Sequence, residues 1–375
     1  VCLSTVTRLR IARIYFTPTE PLPCDAHTDA MPSADHTPRG HAARYTSECY
    51  DGMRDDDART SSYRAAIMAA ASGKTVVDLG TGALALLAIS AAEAGAAHVY
   101  AIEVQHAAAA AARQAVTAAG FSDKITVIEG FSTDLTVDLP VKADLLVHEL
   151  IGEIAGEEGV VAAIADAASR HLNPLASAPL SIPSRTRTLI APCEYPDDAY
   201  CATQPAAVLE GAGSARALKL PGLPARTLLA APQAFEDLRF ESAAPAASQA
   251  CQLEFVVSRD GTLRGLAMHV ELHCGAESGD EAPDVSSAWH GSHWRNILLL
   301  VSDGVAVRKG DRIRVDTSCQ LGSSQPRYTF EAFIRQQAAR DKPMVARWVP
   351  VGGRVEYPEA SLNVNDAMDL LMAGE

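Results

Sequence analysis

Short apolar runs alternate with helix-length stretches in the first half of the chain. The strand-length runs lie at residues 74–79, 98–102, 125–128 and 143–147, and the helix-length stretches at 83–94, 106–119 and 157–171. Strands separated by helices of this length form βαβ units, in which the strands lie parallel. The pattern therefore predicts an α/β domain with a parallel sheet over residues 73–183.

The residues before this alternation fall into two parts. Residues 49–71 place four side chains on one face of a helix, namely Met53, Asp56, Thr60 and Tyr63. We therefore expect a helical lid over residues 45–72. Residues 1–44 are rich in Pro, Thr, Asp and His without a hydrophobic period, which predicts a disordered segment. An arginine-bearing targeting stretch at residues 1–19 is the alternative for its beginning.

The second half of the chain has strand-type patterns in place of alternating strands and helices. Strand-type runs lie at residues 187–191, 252–258, 266–273, 296–301, 311–316 and 328–333, with Asp-Gly and Lys-Gly turns between some of them. This predicts an antiparallel barrel or sandwich over residues 184–375. Residues 192–248 are long for a loop and carry leucines without an evident place in such a barrel, namely Leu209, Leu218, Leu220, Leu223, Leu228 and Leu229.

Composition narrows the class of protein. The chain has 375 residues, enough for two domains, and its longest apolar runs are far shorter than the roughly 20 residues of a membrane-spanning helix. Its 32 Lys and Arg against 46 Asp and Glu give a net charge of −14, which argues against binding to a nucleic-acid backbone and favours a cationic or neutral partner. The eight cysteines include no CxxC pair, so we expect free thiols and a reducing compartment, cytoplasmic or nuclear.

A glycine-rich turn follows the first predicted strand. Asp78 lies at the end of that strand, and Gly80 and Gly82 precede the helix. Glycines let a ligand approach the backbone, and a helix N-terminus offers unpaired N–H groups. The second strand ends at Glu103, where a carboxylate can accept hydrogen bonds from ribose hydroxyls. This order predicts a nucleoside-containing ligand rather than a plain tight turn.

Two further turns lie at the same edge of the predicted sheet. The third strand ends in a polar turn that contains Ser132, and the fourth ends at His148 and Glu149. The spacing from Gly80 to Ala85 also meets a dinucleotide-binding pattern. However, an acid just before the first glycine is typical of S-adenosylmethionine enzymes. All four turns lie at carboxyl ends of strands, the edge where open α/β sheets bind ligands.

Six segments resemble motifs of the protein arginine methyltransferases, and the likeness runs from about residue 45 to the C-terminus. They are MRDDDART (53–60), VVDLGTG (76–82), VYAIE (99–103), KITVIEGFST (124–133), HELIGEIAGEE (148–158) and SHWRN (292–296). The most specific is the fifth, because Glu149 and Glu158 stand nine positions apart with Gly152 between them, as in that family's double-glutamate loop. The last resembles the family's Thr-His-Trp loop, with Ser292 in place of Thr. Residues 121–124 and 132–133 are similar to its monomethylating branch.

The resemblance implies a Rossmann-like S-adenosylmethionine domain followed by an antiparallel β-barrel domain with a helical dimerisation arm at about residues 192–248. It implies S-adenosyl-L-methionine as the cofactor, an arginine-rich protein or peptide as the substrate, and a homodimer. No metal, nucleic acid or membrane partner is expected. His269, Glu271 and His273 share one strand face but lack a fourth ligand, so we expect a polar outer face there.

The resemblance also implies roles for individual residues. Those implied to be catalytic are Glu149, Glu158, His293 and Asp56. Those implied to bind the cofactor are Met53, Arg59, Asp78, Gly80, Gly82, Glu103 and Ser132, and those implied to bind the substrate are Gly152 and Trp294. Two carboxylates can bind the planar fork of a guanidinium through charge-assisted hydrogen bonds and aim one of its nitrogens at a methyl donor.

The chain departs from the family pattern at three places. Leu84 stands where the third glycine of the cofactor turn is usual, His148 replaces a small residue, and the tyrosines of the N-terminal helix are only approximated by Tyr45 and Tyr50. Leu84 favours one alternative, a catalytically silent paralogue that acts as a regulatory subunit, whereas the intact glutamate pair opposes it. A methyltransferase that acts on a small molecule is the other alternative, and the Ser-His-Trp segment argues against it.

Overall fold

The computed structural model describes residues 47–176, 180–194, 217–220, 222, 224–240, 245–275, 282–288, 291–335 and 349–357. The segment predicted to be disordered, residues 1–44, lies outside this part of the chain. Within it, two helices precede a parallel sheet, and two antiparallel sheets follow.

The first two helices are α1, Ser47–Asp55, and α2, Asp57–Ala70. The expected single helix over residues 49–71 is therefore wrong in one respect, because it is broken at Asp56. Asp56 has the non-helical angles φ −75° and ψ 89°, and its side chain accepts a hydrogen bond from the backbone N–H of Arg59. An aspartate at this position caps the second helix, which explains why α2 begins anew there.

The parallel sheet has five strands in the order β3-β2-β1-β4-β5. They are β1 (Thr75–Leu79), β2 (His98–Glu103), β3 (Ile125–Glu129), β4 (Leu145–His148) and β5 (Ser181–Ile182). The helices between and after them are α3 (Leu86–Glu93), α4 (His106–Ala118) and α5 (Val160–Arg170). The predicted α/β fold is confirmed. The last four residues of the central strand β1 are buried, and all but Asp78 are apolar.

The second half of the chain is antiparallel. One sheet has the order β7-β12-β10-β6-β8, with β11 also paired to β10, and a second sheet has the order β15-β14-β13-β9. The strands of the first are β6 (Arg185–Cys193), β7 (Ala217–Leu220), β8 (Gln233–Arg239), β10 (Gly261–His273), β11 (Val285–Ser286) and β12 (Asn296–Val307). The second contains β9 (Ser248–Val256), β13 (Arg312–Gln320), β14 (Arg327–Arg335) and β15 (Val349–Tyr357).

The region expected to form a dimerisation arm belongs in part to this antiparallel domain. Strand β7 pairs with β12, and β8 pairs with β6. Leu220 and Leu229, which the sequence left without a place in the barrel, are buried within this chain. That expectation was therefore wrong for these two leucines. The dimerisation arm stays a prediction, since residues 195–216, which include Leu209, and Leu223 lie outside the described residues.

One hydrophobic core runs from α2 through the parallel sheet into the antiparallel sheets. It contains Tyr63 from α2, Val77 from β1, Trp294 before β12 and Phe330 from β14. None of the helices within the described ranges is long and apolar enough to cross a membrane. The continuous core fixes the antiparallel sheets against the carboxyl ends of the parallel strands.

Candidate functional site

A tight turn at residues 80–85, here called the glycine turn, connects β1 to α3. Gly80 and Gly82 have φ angles of +72° and +68°, which disfavour residues with a side chain. A Cβ at Gly82 would lie 2.8 Å from the ring of Tyr50, and one at Gly80 would lie 2.9 Å from Leu150. Ala85 also has a positive φ of 46°, so the helix predicted from residue 83 begins only after this turn.

Glu103, at the end of β2, is attached to the glycine turn. One of its carboxylate oxygens accepts a hydrogen bond from the backbone N–H of Gly82 at 2.9 Å, and the other from that of Gln105 at 2.8 Å. Burial raises the pKa of this carboxyl, and the two backbone donors oppose the rise. The sequence predicted that Gly80, Gly82 and Glu103 meet at one edge of the sheet, and the structure places them there.

Asp78, on β1, contacts the glycine turn from within the protein. It is fully buried, and its carboxylate accepts a hydrogen bond from the Thr81 hydroxyl at 2.6 Å. Burial raises its pKa to about 7. The contacts of Asp78 therefore hold the glycine turn in shape, a structural function that the implied cofactor contact did not include.

Arg59 makes an ion pair that the sequence did not predict. Its Nη2 donates to the Glu149 carboxylate at 2.9 Å, and both side chains are about 95% buried, with 5% and 6% of their surface exposed. Its Nη1 donates to the backbone carbonyl of Met53 at 3.3 Å. The guanidinium also lies over the ring of Tyr63, 5.4 Å from its centre. Arg59 thus connects the first helix to the end of β4.

Burial and nearby charges have opposing effects on the pKa of the Glu149 carboxyl. Burial raises the pKa of its carboxyl, while the positive charge of Arg59 opposes that rise. Glu158 raises the same pKa and His293 lowers it, because both lie close enough to Glu149 for their charges to act on it. The structure therefore brings the two predicted glutamates and the predicted histidine into one electrostatic environment.

The segment between the two glutamates, residues 149–158, is here called the double-glutamate loop. The Trp294 indole N–H donates to the carbonyl of Ile151 at 2.7 Å, and the N–H of Glu153 donates to the Glu157 carboxylate at 2.8 Å. A Cβ at Gly152 would lie 2.3 Å from Glu157. Gly152 and Trp294 therefore shape this loop. The resemblance implied that both residues bind the substrate, and the structure shows their contacts within the loop.

Asp56 and His293 form a second buried contact, between the lid helices and the antiparallel domain. One oxygen of Asp56 accepts from both the backbone N–H and the Nδ1 of His293, each at 2.9 Å. Burial acts to raise the pKa of Asp56, but the hydrogen bonds from His293 and Arg59 outweigh it, so that pKa is lowered. The His293 ring packs on the Trp294 ring, with centres 3.9 Å apart.

Ser132 lies in the turn after β3, at the same sheet edge. Its backbone carbonyl accepts hydrogen bonds from Arg170 Nη2 at 2.5 Å and from His171 Nε2 at 3.1 Å. Arg170 also donates to the carbonyl of Val137 and pairs with Asp166 at 2.7 Å. Arg170 and His171 therefore fix the backbone of this turn, and no sequence signal pointed to them.

The strand face with His269 and Glu271 is not part of this site. Glu271 accepts a hydrogen bond from Arg187 of the neighbouring strand at 2.8 Å, and His269 lies 3.7 Å from the same carboxylate group. Across the described ranges, no group of three or more His, Cys, Asp or Glu side chains is arranged to hold a metal ion.

Comparison with known protein families indicates the class of the α/β domain. Residues 62–181 match the model of the ribosomal protein L11 methyltransferase family (PrmA), a stretch that contains the whole parallel sheet except its last residue. The glycine turn, Glu103 and Glu149 all fall within it. The α/β domain therefore has the sequence pattern of a methyltransferase domain.

Curated relatives narrow the resemblance. The chain is 36% identical over 151 residues to a probable protein arginine N-methyltransferase 6 of Arabidopsis thaliana, a match that covers 40% of this chain and 33% of the relative. It is 42% identical over 120 residues, 29% of this chain, to protein arginine N-methyltransferase 7 of Mus musculus and spans 17% of that protein. The chain thus matches about a third or less of the length of these relatives. The resemblance to protein arginine methyltransferases is confirmed over that stretch.

Solved structures extend the likeness in fold over most of the chain. A protein arginine methyltransferase 10 of Arabidopsis thaliana matches 81% of this chain with a TM-score of 0.66 at 21% identity, which is 97% of that chain. The PRMT1 enzyme–prozyme heterotetrameric complex with AdoHcy of Trypanosoma brucei matches 80% of this chain and 97% of its own with a TM-score of 0.63 at 19% identity. The chain has the two-part fold of protein arginine methyltransferases.

Proposed function

We propose that this chain is an S-adenosylmethionine-dependent protein arginine N-methyltransferase. The observation that carries the proposal is the pair Glu149 and Glu158, one of them buried against Arg59, in a loop held at the carboxyl edge of the sheet beside the glycine turn. The curated relatives named as arginine methyltransferases support it. None of these relatives favours a silent paralogue over an enzyme.

The residues around the glycine turn fit S-adenosylmethionine. Leu150 and Tyr50 lie close to Gly80 and Gly82, and the Glu103 carboxylate beside this turn can accept hydrogen bonds from ribose hydroxyls. The Nε of Arg59 is buried without a hydrogen-bond partner among the described residues, so it can donate to the carboxylate of a methionine group. When bound, the cofactor supplies a methyl group on a sulfonium centre. The solved relative of Trypanosoma brucei in complex with AdoHcy supports this choice of cofactor.

Glu149 and Glu158 would bind the substrate guanidinium. An arginine side chain stays protonated at neutral pH, so its nitrogens are poor nucleophiles. Two carboxylates that accept from its planar fork would localise the positive charge on one nitrogen and leave the other free to attack. Burial raises the pKa of Glu149, and its pairing with Arg59 opposes that rise, which favours the ionised form that this task needs.

His293 and Asp56 would handle the proton released in the reaction. The hydrogen bond from Nδ1 of His293 to Asp56 fixes the ring, which leaves Nε2 as the nitrogen that takes up a proton. Trp294 and Gly152 would shape the loop that holds the substrate, and their contact with the substrate stays a prediction.

We also propose an arginine-rich protein or peptide as substrate, a homodimer formed through the arm at about residues 192–248, and a cytoplasmic or nuclear location. The net charge of −14 supports attraction of cationic segments. The fold shared with a heterotetrameric relative supports assembly of more than one chain.

The test is transfer of a labelled methyl group from S-adenosylmethionine to an arginine-rich peptide. A matched peptide with every Arg replaced by Lys is the control, because it keeps the charge and removes the planar fork. We expect label on the arginine peptide alone. Equal labelling of both peptides, or of neither, would contradict the proposal.

A further inference from the structure

A buried carboxylate of the antiparallel domain lies against the double-glutamate loop. Glu236, on β8, has 1% of its surface exposed. It accepts hydrogen bonds from the Thr188 hydroxyl at 2.6 Å, from the Tyr328 hydroxyl at 2.8 Å, and from the backbone N–H of Gly156 at 3.3 Å. Thr188 lies on β6, the strand paired with β8, Tyr328 lies on β14 of the other antiparallel sheet, and Gly156 lies in the loop.

Thr188 adds a second link from the same place. Its hydroxyl donates to Glu236 and accepts from the backbone N–H of Ala155 at 2.9 Å. Two consecutive loop amides therefore point into one buried group of polar side chains. Buried amides without acceptors would cost free energy, so this group specifies where residues 155 and 156 lie.

The fit around Gly156 is close. A Cβ there would lie 2.6 Å from a Glu236 carboxylate oxygen and 2.7 Å from the Tyr328 hydroxyl. The N–H of Gly159 then donates to the Gly156 carbonyl at 3.0 Å, which closes a turn around Glu158. The position of Gly156 therefore sets the position of Glu158 two residues later.

The other end of the loop is held independently, by Trp294 at Ile151 and by Arg59 at Glu149. The two glutamates are thus fixed by different parts of the fold. A carboxylate as buried as Glu236 is expensive to keep, and burial raises its pKa while its donors oppose the rise. An apolar side chain would fill the same space, but it could not accept the loop amide.

We propose that Glu236, together with Thr188, is a positioning residue that holds the Glu158 end of the double-glutamate loop at the distance from Glu149 that a guanidinium requires. The role in catalysis rests on the proposed function. The anchoring of the loop does not, because it follows from the hydrogen bonds alone.

The test compares Glu236→Gln with two variants. Glutamine keeps the volume but removes the charge and replaces one acceptor oxygen by an N–H₂, so the hydrogen bond from the N–H of Gly156 loses its charge assistance and is weakened. Asp311→Asn is the matched control, since Asp311 is 2% exposed in the same domain and accepts from the Arg308 N–H in a turn before β13. Tyr328→Phe removes a donor to Glu236 and leaves the acceptor of Gly156 in place.

Hydrogen exchange read by mass spectrometry on residues 149–159 gives the first result. We expect exchange about tenfold faster in Glu236→Gln than in Asp311→Asn, and within about twofold of the unmutated chain in Tyr328→Phe. Equal exchange in Glu236→Gln and Asp311→Asn, or faster exchange in Tyr328→Phe than in Glu236→Gln, would overturn the anchoring. This measurement needs no catalysis, so an inactive unmutated chain would contradict the proposed function and leave the anchoring decided.

Steady-state kinetics gives the second result. We expect kcat on an arginine peptide to fall by about tenfold or more in Glu236→Gln, with the dissociation constant for S-adenosylhomocysteine within about twofold of the unmutated value. A loosened loop with unchanged kcat would overturn the positioning role. Loss of S-adenosylhomocysteine binding in step with kcat would also overturn it, because that result indicates general damage to the fold.

Discussion

The two faces of the candidate site are built differently. The cofactor-side face consists of the glycine turn and Glu103, whose contact to Gly82 joins residues 21 positions apart. The opposite face is supplied by the antiparallel domain, where His293 contacts Asp56 across 237 positions and Trp294 contacts Ile151 across 143. The cofactor-side face is formed by residues close together in the sequence, whereas the opposite face is formed by residues that only the complete fold brings together.

The chemistry of the two faces differs in the same way. On the cofactor side, the site is shaped mainly by backbone conformation. Positive φ angles form the glycine turn, and a backbone N–H of that turn binds a carboxylate. On the other side, buried side chains hold the backbone of a loop at chosen atoms. We therefore expect changes on the first face to alter ligand affinity and changes on the second to alter turnover.

The largest effect is expected at the glutamate pair. Glu149→Gln and Glu158→Gln should each lower kcat/KM by at least about a hundredfold, roughly 2.7 kcal/mol of transition-state stabilisation, because each removes a charge that faces the guanidinium. Glu153→Gln is the control in the same loop, since its contact to Glu157 uses the backbone N–H. A glutamine variant at either position with more than a tenth of the original activity would refute the assignment.

Glu103 tests the cofactor-side face. Glu103→Ala should weaken binding of S-adenosylhomocysteine by roughly 1 to 3 kcal/mol, because charge-assisted hydrogen bonds to the ribose and the support of the glycine turn are both lost. Calorimetry measures this directly. Glu129→Ala, at the equivalent end of the neighbouring strand, is the comparison, since its carboxylate is bonded to His106 and Arg113 instead. Equal losses in the two variants would show that the ribose assignment is wrong.

Asp56 tests the link between the two faces. Asp56→Asn replaces one carboxylate oxygen by an N–H₂, so either the two His293 donors or the N–H of Arg59 that caps α2 lose their acceptor, with a cost of about 1 kcal/mol in stability and about tenfold in kcat. Asp57→Asn changes the adjacent exposed acid and should leave kcat unchanged. Thermal melts and steady-state rates on both variants separate the two effects, and an unchanged kcat in Asp56→Asn would remove this pair from the catalytic machinery.

His148 lies where the parallel sheet meets the antiparallel domain, and the pH dependence of stability tests this contact. It is fully buried at the end of β4 against the Phe240 ring, neither ring nitrogen has a partner among the described residues, and burial lowers its pKa to about 3. Between the usual histidine pKa near 6.5 and pH 3, the unfolded chain binds a proton that the folded chain does not. The free energy of unfolding should therefore fall as the pH falls through this window.

The variant His148→Leu should remove up to about 1.4 kcal/mol per pH unit of that acid dependence while leaving stability at pH 8 equal or higher. His98→Leu, a half-buried histidine at the start of β2, is the control. Denaturant unfolding at pH 7 and pH 5 measures the slope. The same slope in His148→Leu and in the unmutated chain would mean that His148 is accessible to protons in the folded protein.

The smallest effect is expected at Leu84, where the glycine pattern is interrupted. Leu84 is half-buried and its neighbours Ala83 and Ala85 are small, so Leu84→Gly should bind S-adenosylhomocysteine as tightly as the unmutated chain or up to about threefold tighter. Ala83→Gly provides the control for added backbone freedom. Binding only in Leu84→Gly, and not in the unmutated chain, would favour the silent paralogue over an enzyme.

Much of the cofactor-side face could be predicted from the sequence. Four of the five strands of the parallel sheet, the glycine turn and Glu103 follow from patterns within about 30 neighbouring residues, and the structure places them as expected. The two-residue strand β5 was missed because it is too short for a recognisable pattern. The break at Asp56 was missed because helical spacing continues across a cap residue without interruption. The pairing of Arg59 with Glu149 was missed because it joins residues 90 positions apart, for which a single sequence carries no local signal.

On the face supplied by the antiparallel domain, residues could be predicted only where a family motif covers them. His293 and Trp294 were singled out by a motif, whereas Glu236 and Thr188 were not, because an acid on a strand usually predicts an exposed position. Leu220 and Leu229 were left without a place in the antiparallel domain because the strands that bury them could not be separated from the surrounding segment by pattern alone.

The central claim is that both faces together direct a methyl group to a guanidinium nitrogen. Tandem mass spectrometry of an arginine-rich peptide, incubated with S-adenosylmethionine and either the unmutated chain or Glu158→Gln, tests it most directly. The account predicts methylation on the arginine side chain with the unmutated chain and at most about one hundredth of it with the variant. Methylation at another residue type, or equal arginine methylation by both proteins, would contradict it.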